Sequence, residues 1–265
     1  MGMALLDAFR LDGKVAIVTG ASRGIGAGIA AALAECGADI VIAARSETAM
    51  AEVAAQIRGL GRRVLAVPCD LTDVRPLQGL VEAAMNNFGR IDIVVNNAGG
   101  TGPAPFLSET SESFEAAFRF NVTNAFELTR LAAPHMLARD GGTVINIASV
   151  MGQLADRGYS VYGTAKAAMI QLTRLNAADL APRIRVNAIA PGAIATDSLA
   201  GVLTNGELER LMIEGTPMRR LGRVEDIALG AVYLASPASG FVTGKVLAID
   251  GGITFPNLSL NMPDL

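Results

Sequence analysis

Lys14-Val-Ala-Ile-Val-Thr-Gly-Ala-Ser-Arg-Gly-Ile-Gly26 is the stretch that decides the fold. It opens with the short β-branched run Val15 to Thr19, which contains no turn residue, and continues through Gly20, Gly24 and Gly26 into an Ala-rich helical pattern. A buried strand feeding a Gly-rich turn and then a helix N-terminus makes an anion site. Glycine lets the backbone turn tightly and approach a pyrophosphate, while the free helical N–H groups and the helix dipole favour its charge. The spacing is G-x-x-x-G-x-G rather than the commoner dinucleotide fingerprint G-x-G-x-x-G. Alone, such a turn also serves as a plain strand–helix connection. Thr19 before it and the βα units after it decide for phosphate binding.

Working outward, seven short apolar runs recur at 14–19, 39–44, 63–67, 91–95, 143–148, 184–189 and 245–249. They are near-continuous rather than alternating, as parallel strands covered on both faces should be. Helical patterns lie between them: Val74, Leu77, Leu80, Val81, Met85 and Phe88 repeat at three- and four-residue steps, as do Ile29 and Leu33. This rhythm predicts right-handed βαβ units and an α/β doubly wound Rossmann fold. Its seven parallel strands should run in the order 3-2-1-4-5-6-7, with helices on both faces. No linker divides residues 1–265, so a single dinucleotide-binding and catalytic domain is expected. The interval from about 193 to 223 breaks the rhythm and reads as one or two mobile helices, the place for a substrate lid. The tail 253–265 carries Leu and Met without a helical period and reads as frayed or docked on a neighbouring surface.

Composition narrows the function. Apolar residues make up 51% of the chain and charged residues 18%, which excludes general disorder. A net charge of −3 argues against nucleic acid or an anionic membrane as partner. The lone histidine, His135, leaves no basis for a metal site or a His-based triad. Cys36 and Cys69 read as packed thiols rather than a disulfide framework. Met1-Gly2 fits neither a secretory signal nor a myristoylation site, and no apolar run reaches membrane-spanning length. A cytoplasmic protein is expected.

Tyr162-Gly-Thr-Ala-Lys166 opens a long helical stretch, and the i to i+4 spacing places phenol and ammonium on one face. A free tyrosine, with a pKa of about 10, is a poor base near neutrality. A close ammonium favours phenolate, and lowering the pKa by about three units corresponds to roughly 4 kcal/mol. That would make tyrosine useful as a general acid–base group. Taken alone, the pair reads rather as exposed residues of an amphipathic helix. Other residues shift the balance. Ser149, thirteen positions earlier, closes Asn146-Ile-Ala-Ser149 at the edge where ligands bind such sheets, and its hydroxyl could donate to a substrate oxygen. Asn96-Asn-Ala-Gly99 ends the fourth strand and would wall the cofactor site. Asn121 is polar in an apolar helical stretch, bonded locally, to solvent or to a catalytic water.

Together these residues resemble the short-chain dehydrogenase/reductase family in its compact single-domain branch. The resemblance spans the chain through Thr19-Gly-Ala-Ser-Arg-Gly-Ile-Gly26, Asp70-Leu71, Asn96-Asn-Ala-Gly99, Asn121, Ser149, Tyr162 with Lys166, Pro191-Gly192 and Asp250-Gly-Gly252. It implies reversible ketone–secondary alcohol interconversion with a nicotinamide cofactor, Tyr162 moving the proton and Ser149 positioning the substrate oxygen. It further implies that Lys166 lowers the tyrosine pKa and holds the nicotinamide ribose, while Asn121 holds a water linking Lys166 to solvent. The implied cofactor set is Gly20, Ser22, Arg23, Gly24, Ile25, Gly26, Arg45, Asp70 toward the adenine, Leu71, Asn97 toward the ribose, Ala98, Gly99, Tyr162, Lys166, Pro191 and Gly192. Ile194 and Thr196 complete it at the carboxamide, implying transfer of the pro-S hydride. Gly100-Thr-Gly-Pro-Ala-Pro-Phe106 and Ala190-Pro-Gly-Ala-Ile-Ala-Thr-Asp197 are similar to bacterial hydroxysteroid dehydrogenases.

Arg45 ends the second strand run with no carboxylate at its tip, and Arg23 stands in the Gly-rich turn. Two guanidinium groups can clamp a 2′-phosphate, so NADP is expected, with NAD as the alternative if Arg45 only stacks on adenine. Val150, Met151, Leu154, Leu199, Val202, Leu203, Leu211 and Met212 lie near the expected mouth and suggest a bulky apolar or alicyclic, steroid-like ketone or alcohol. A 3-oxoacyl carrier-protein reductase is the alternative, with Arg219, Arg220 and Arg223 as a docking patch for an acidic carrier. A non-catalytic cofactor-binding regulatory protein is a more distant one. Helical stretches at about 110–138 and 159–180, with small Ala165, Ala168, Ala177 and Ala178, suggest a homotetramer or at least a dimer.

Overall fold

The computed structural model describes residues 5–258. Met1, Gly2 and the tail beyond Leu258, on which some expectations rest, lie outside the described residues. Strands β1 (Val15–Thr19), β2 (Asp39–Ala44), β3 (Val64–Pro68), β4 (Ile93–Asn96), β5 (Gly142–Ile147), β6 (Ile184–Pro191) and β7 (Val246–Ile249) form one sheet. All neighbouring strands are parallel, in the order β3-β2-β1-β4-β5-β6-β7. The helices are α1 (Gly24–Glu35), α2 (Glu47–Gly59), α3 (Pro76–Phe88), α4 (Ser111–Phe118), α5 (Asn124–Leu137), α6 (Ser160–Leu180), α7 (Ala200–Leu203), α8 (Gly206–Glu214) and α9 (Val224–Ala235).

The continuous apolar runs follow from burial on both sides. In β1, Ala16 and Val18 join the core formed with α1, α2 and α9, whereas Val15 and Ile17 join the core with α3 and α5. Every residue of β1 and β2 is buried, so neither face tolerates a polar alternation. A fully buried aliphatic side chain contributes roughly 1.5–3 kcal/mol, and the strand cores hold many of them. β1 lies between β2 and β4, so successive crossovers leave the sheet in opposite directions there. This switch point opens a crevice at the carboxyl ends of β1 and β4.

Three local expectations are revised. β4 begins at Ile93 rather than 91, because the Asp92 carboxylate accepts the Val15 N–H at 2.9 Å and pairs with Arg90. The stretch 110–138 is not one regular helix: α4 and α5 are separated by a π-turn at Arg119–Thr123. There the Asn121 side-chain amide donates to the Ala117 carbonyl at 2.9 Å, the acceptor its own backbone would use in an α-helix. Finally, Ala165 and Ala177 face the chain's own core, at 1% and 4% exposure, so they are not free to meet a second subunit. Ala168 and Ala178 retain exposure.

Candidate active site

The Gly-rich turn is held by neighbours that glycine alone admits. Gly20 has φ +64°, and a Cβ there would stand 2.9 Å from the Asn97 amide nitrogen. A Cβ on Gly26 would stand 2.4 Å from both that nitrogen and the Gly20 carbonyl oxygen. The Thr19 hydroxyl donates to the Val95 carbonyl and accepts the N–H groups of Asn97 and Ala98 at 3.0 and 3.1 Å. Asn97 donates to the carbonyls of Thr19 and Gly20, so its side chain ties the turn to the end of β4. Arg23 N-caps α1 without a side-chain cap, and the first turn of α1 carries no acidic residue. That leaves free N–H groups and an uncompensated dipole, the arrangement that suits a pyrophosphate. Ser22 and Ile25 flank this turn, both partly exposed.

From the turn, contacts lead to the phenol. Ala98 touches Gly20, and a Cβ on Gly99 would meet Asn121 Oδ1 at 2.6 Å and Lys166 Nζ at 3.3 Å. Asn121 is fully buried, and its Oδ1 accepts the Gly100 N–H at 2.8 Å. Lys166 is also buried, donates to the Ile147 carbonyl at 2.9 Å, and lies 5.7 Å from the Tyr162 ring centroid. Burial pushes its ammonium pKa down to about 8. Ser149 follows β5 in extended backbone, and its Oγ accepts the Met151 N–H at 3.2 Å. Its own proton is therefore free for Tyr162, with which it shares a side-chain hydrogen bond. Burial pushes the Tyr162 pKa up, and the Ser149 bond pulls against it. Burial and the Ser149 bond thus leave the phenol protonated near neutrality.

The remaining cofactor candidates sit around the same crevice. Asp70 is exposed and its carboxyl is held below the usual range by hydrogen bonds from Thr72, with Arg45's charge adding to this. Leu71 is buried, and its carbonyl accepts the Asn124 side-chain amide. The two arginines have separate partners: Arg23 pairs with Asp197 at 3.3 Å, and Arg45 stands near Asp70. Glu47 is the first residue of α2, behind its Ser46 cap, and so belongs to the helix rather than the strand tip. Pro191 closes β6, and a Cβ on Gly192 would lie 2.7 Å from Asp250 Cα. Ile194 is buried and bridges to Gly222, while the Thr196 methyl lies 3.5 Å from where a Gly24 Cβ would be. Among the mouth candidates, Val150 and Met212 are core, at 6% and 7% exposure; the others retain accessible surface.

Several supports escaped the sequence reading. A Cβ on Gly152 would lie 2.7 Å from the Lys166 carbonyl carbon, and one on Gly163 would lie 2.9 Å from the Met151 carbonyl oxygen. These glycines let the segment after Ser149 pack directly on α6; Gly163, between Tyr162 and Lys166, was the available signal. Asn96 donates to Asn146 at 2.8 Å, and Asn146 donates to Thr173 of α6 at 2.9 Å. This buried ladder fixes α6 against β4 and β5, and satisfied polar networks of this kind specify one arrangement.

The doubly wound sheet, the uncapped turn and the clustered Asn121, Ser149, Tyr162 and Lys166 define a dinucleotide-binding oxidoreductase of the short-chain type. A family model described as Enoyl-(Acyl carrier protein) reductase matches residues 20–254. An uncharacterized oxidoreductase of Mycobacterium tuberculosis is 54% identical over 262 residues, covering 98% of this chain and 100% of the relative. The 7alpha-hydroxysteroid dehydrogenase of Escherichia coli is 42% identical over 247 residues, 93% of this chain and 96% of its own. A solved 7 alpha-hydroxysteroid dehydrogenase complexed with NADH and 7-oxo glycochenodeoxycholic acid has a TM-score of 0.92 at 41% identity, covering 97% and 100% of the two chains. Gluconate 5-dehydrogenase from Burkholderia cenocepacia, in complex with NADP and tartrate, gives 0.89 at 36%, covering 95% and 99%. The chain belongs to the short-chain dehydrogenase/reductase family, a family of nicotinamide-dependent oxidoreductases.

Proposed function

We propose that the chain interconverts a ketone and a secondary alcohol with a nicotinamide coenzyme, using Tyr162 as general acid–base. The observation that carries this reading is the buried Lys166 ammonium 5.7 Å from the Tyr162 ring centroid, on one face of α6 beside Ser149 at the end of β5. When bound, the coenzyme supplies or accepts the hydride. In reduction, the Tyr162 hydroxyl donates its proton to the substrate oxygen while the Ser149 hydroxyl donates a hydrogen bond to the same atom. Lys166 favours the resulting phenolate by its charge, and Asn121 keeps the Gly99–Gly100 backbone against the lysine. Oxidation runs the same steps backward. The uncapped α1 N-terminus and the cradle at Gly20, Gly24 and Gly26 fit the pyrophosphate. Pro191, Gly192, Ile194 and Thr196 would border the nicotinamide.

NADP is the proposed coenzyme: no carboxylate stands at the tip of β2, and Arg45 and Arg23 are exposed there and in the turn. We read 193–223 as the substrate lid of a single domain, since Thr196 and Asp197 reach the Gly-rich turn. The apolar surface of Met151, Leu154, Leu199, Val202, Leu203 and Leu211, and the likeness to hydroxysteroid dehydrogenases, favour a bulky alicyclic substrate. An acidic carrier protein is disfavoured, because the arginines at the carboxyl end of the lid are engaged within the chain. Arg220 makes a two-pronged pair with Asp226 that holds that carboxyl at about 2, and Arg219 donates to the Glu214 carbonyl. A cytoplasmic setting and a homotetramer complete the proposal; no helix among the described residues is long and apolar enough to cross a membrane. The test is titration with NADPH and NADH, followed by a panel of alicyclic ketones, polyols and acyl thioesters monitored by reduced-coenzyme absorbance. Preferred oxidation of polyols, or no coenzyme binding, would overturn the reading.

A further inference from the structure

We infer that Asn257 is a positioning residue for the substrate lid, clasping the carboxyl end of α8 so that the segment after β7 sets where the lid rests. The inference rests on the lid reading above. The Asn257 amide donates to Thr216 Oγ1 at 2.8 Å and to the Met212 carbonyl at 3.3 Å. The Thr216 hydroxyl itself donates to the Met212 carbonyl at 2.8 Å, so the three residues close one small network at the end of α8. Met212 and Thr216 are buried and Asn257 is partly so, which shields these bonds from competing water. The backbone passes as closely as chemistry allows: a Cβ on Gly215 would stand 2.5 Å from the Asn257 carbonyl oxygen. Beside this contact, the Met218 N–H donates to the Gly251 carbonyl at 3.1 Å. Where the excursion returns, the Gly222 N–H donates to the Ala193 carbonyl and the Ala195 N–H donates to the Gly222 carbonyl, both at 2.9 Å.

The other end of the excursion is held differently. Residues 197–207 are mostly exposed, and the salt bridge that joins this end to the cofactor turn, Asp197 to Arg23, spans 3.3 Å between side chains 71% and 75% exposed. Such a pair is worth little in water. The two ends of the lid are thus tied to each other through Ala193, Ala195 and Gly222, and its carboxyl half is clasped at Met212 and Thr216. Its exposed stretch from 197 to 207 is only loosely held, so that movement of α7 and α8 pivots at Met212 and Thr216. A hinge of this kind absorbs the change at a few residues away from the chemistry. The Asn257 amide bonds to Met212 and Thr216, away from the phenol and the Gly-rich turn, so its effect reaches catalysis only through where α8 lies.

The test compares wild type, Asn257→Ala and Gly215→Ala, the last disturbing the same contact from its other side. Asn257→Ala is expected to raise KM for a bulky alicyclic ketone about tenfold, the scale of losing a shielded hydrogen-bond clasp. NADPH affinity, kcat, and KM for a small ketone that does not reach the lid should stay within about twofold. Gly215→Ala should act in the same direction, and the double variant should be no worse than the stronger single one. A second readout needs no turnover: trypsin should cut at Arg210 in α8 several-fold faster in Asn257→Ala than in wild type. Faster cutting supports the clasp even if no coenzyme binds, an outcome that would sink only the functional reading. Unchanged cutting at Arg210, or a KM rise equal for small and bulky ketones, overturns the clasp.

Discussion

Replacing Lys166 by Met should make the protein more stable near neutrality while removing its activity. The ammonium is buried, and burial alone lowers its pKa from 10.5 to about 8. A difference of about 2.5 units corresponds to roughly 3 kcal/mol by which the folded state disfavours the charged lysine. Methionine keeps much of the apolar stem and removes the charge. It also leaves the Ile147 carbonyl, which accepts from Nζ at 2.9 Å, without that donor, costing about 1 kcal/mol. The net gain is about 2 kcal/mol at pH 7. Its pH dependence has a definite sign. Below the folded pKa, lysine is charged in both states and the penalty is complete. Above it, the folded state holds the neutral amine, and the penalty shrinks by about 1.4 kcal/mol per pH unit until the unfolded pKa is passed. The advantage of the variant should therefore nearly vanish by about pH 9.5. Urea unfolding at fixed protein concentration, at pH 7 and 9.5 without coenzyme, measures both quantities. A variant less stable than wild type at pH 7, or a difference that ignores pH, would refute the reasoning.

Because burial raises the Tyr162 pKa, ketone reduction should hold its rate through neutrality and fall only on the alkaline side, while alcohol oxidation should rise with pH; initial-rate profiles in both directions show this. Arg45→Ala should weaken NADPH at least tenfold more than NADH by fluorescence titration, with a further loss in the Arg23 double variant, whereas equal losses would remove the clamp. Gly26→Ala drives a Cβ to 2.4 Å from the Gly20 carbonyl oxygen, so it should abolish coenzyme binding and cost more than about 2 kcal/mol in urea unfolding. Light scattering at micromolar concentration should return a multiple of the 27.4 kDa chain, since Phe114, Phe118, Phe126 and Leu175 of α4, α5 and α6 are 36–54% exposed.

The sheet was legible because its strands are buried on both faces, so 39–44 and 184–189 stand out as unbroken apolar runs whatever they pair with. The candidate site was legible as a cluster because its spacing is local: Tyr162 and Lys166 share a helical face, and Gly20, Gly24 and Gly26 share a turn. What was not legible depends on partners distant in sequence. The π-turn at Arg119–Thr123 arises where Asn121 must serve both Ala117 and Gly100, the latter 21 positions away. Asn96 meets Asn146 across 50 positions and Asn146 meets Thr173 across 27, pairings that no periodicity announces. Ala165 and Ala177 looked like subunit contacts because small residues on a helix suit both a close partner and the chain's own core. The desolvation of Tyr162 was not legible either, because proximity of a lysine is visible in sequence, whereas the extent of burial is not.

Tyr162→Phe tests the central claim most directly, since it removes one hydroxyl and keeps the ring. Steady-state turnover of the best ketone, measured beside NADPH affinity by fluorescence, should show a rate loss of at least about 100-fold with affinity within a few-fold of wild type. Turnover within tenfold of wild type, with coenzyme still bound, would contradict Tyr162 as the proton donor.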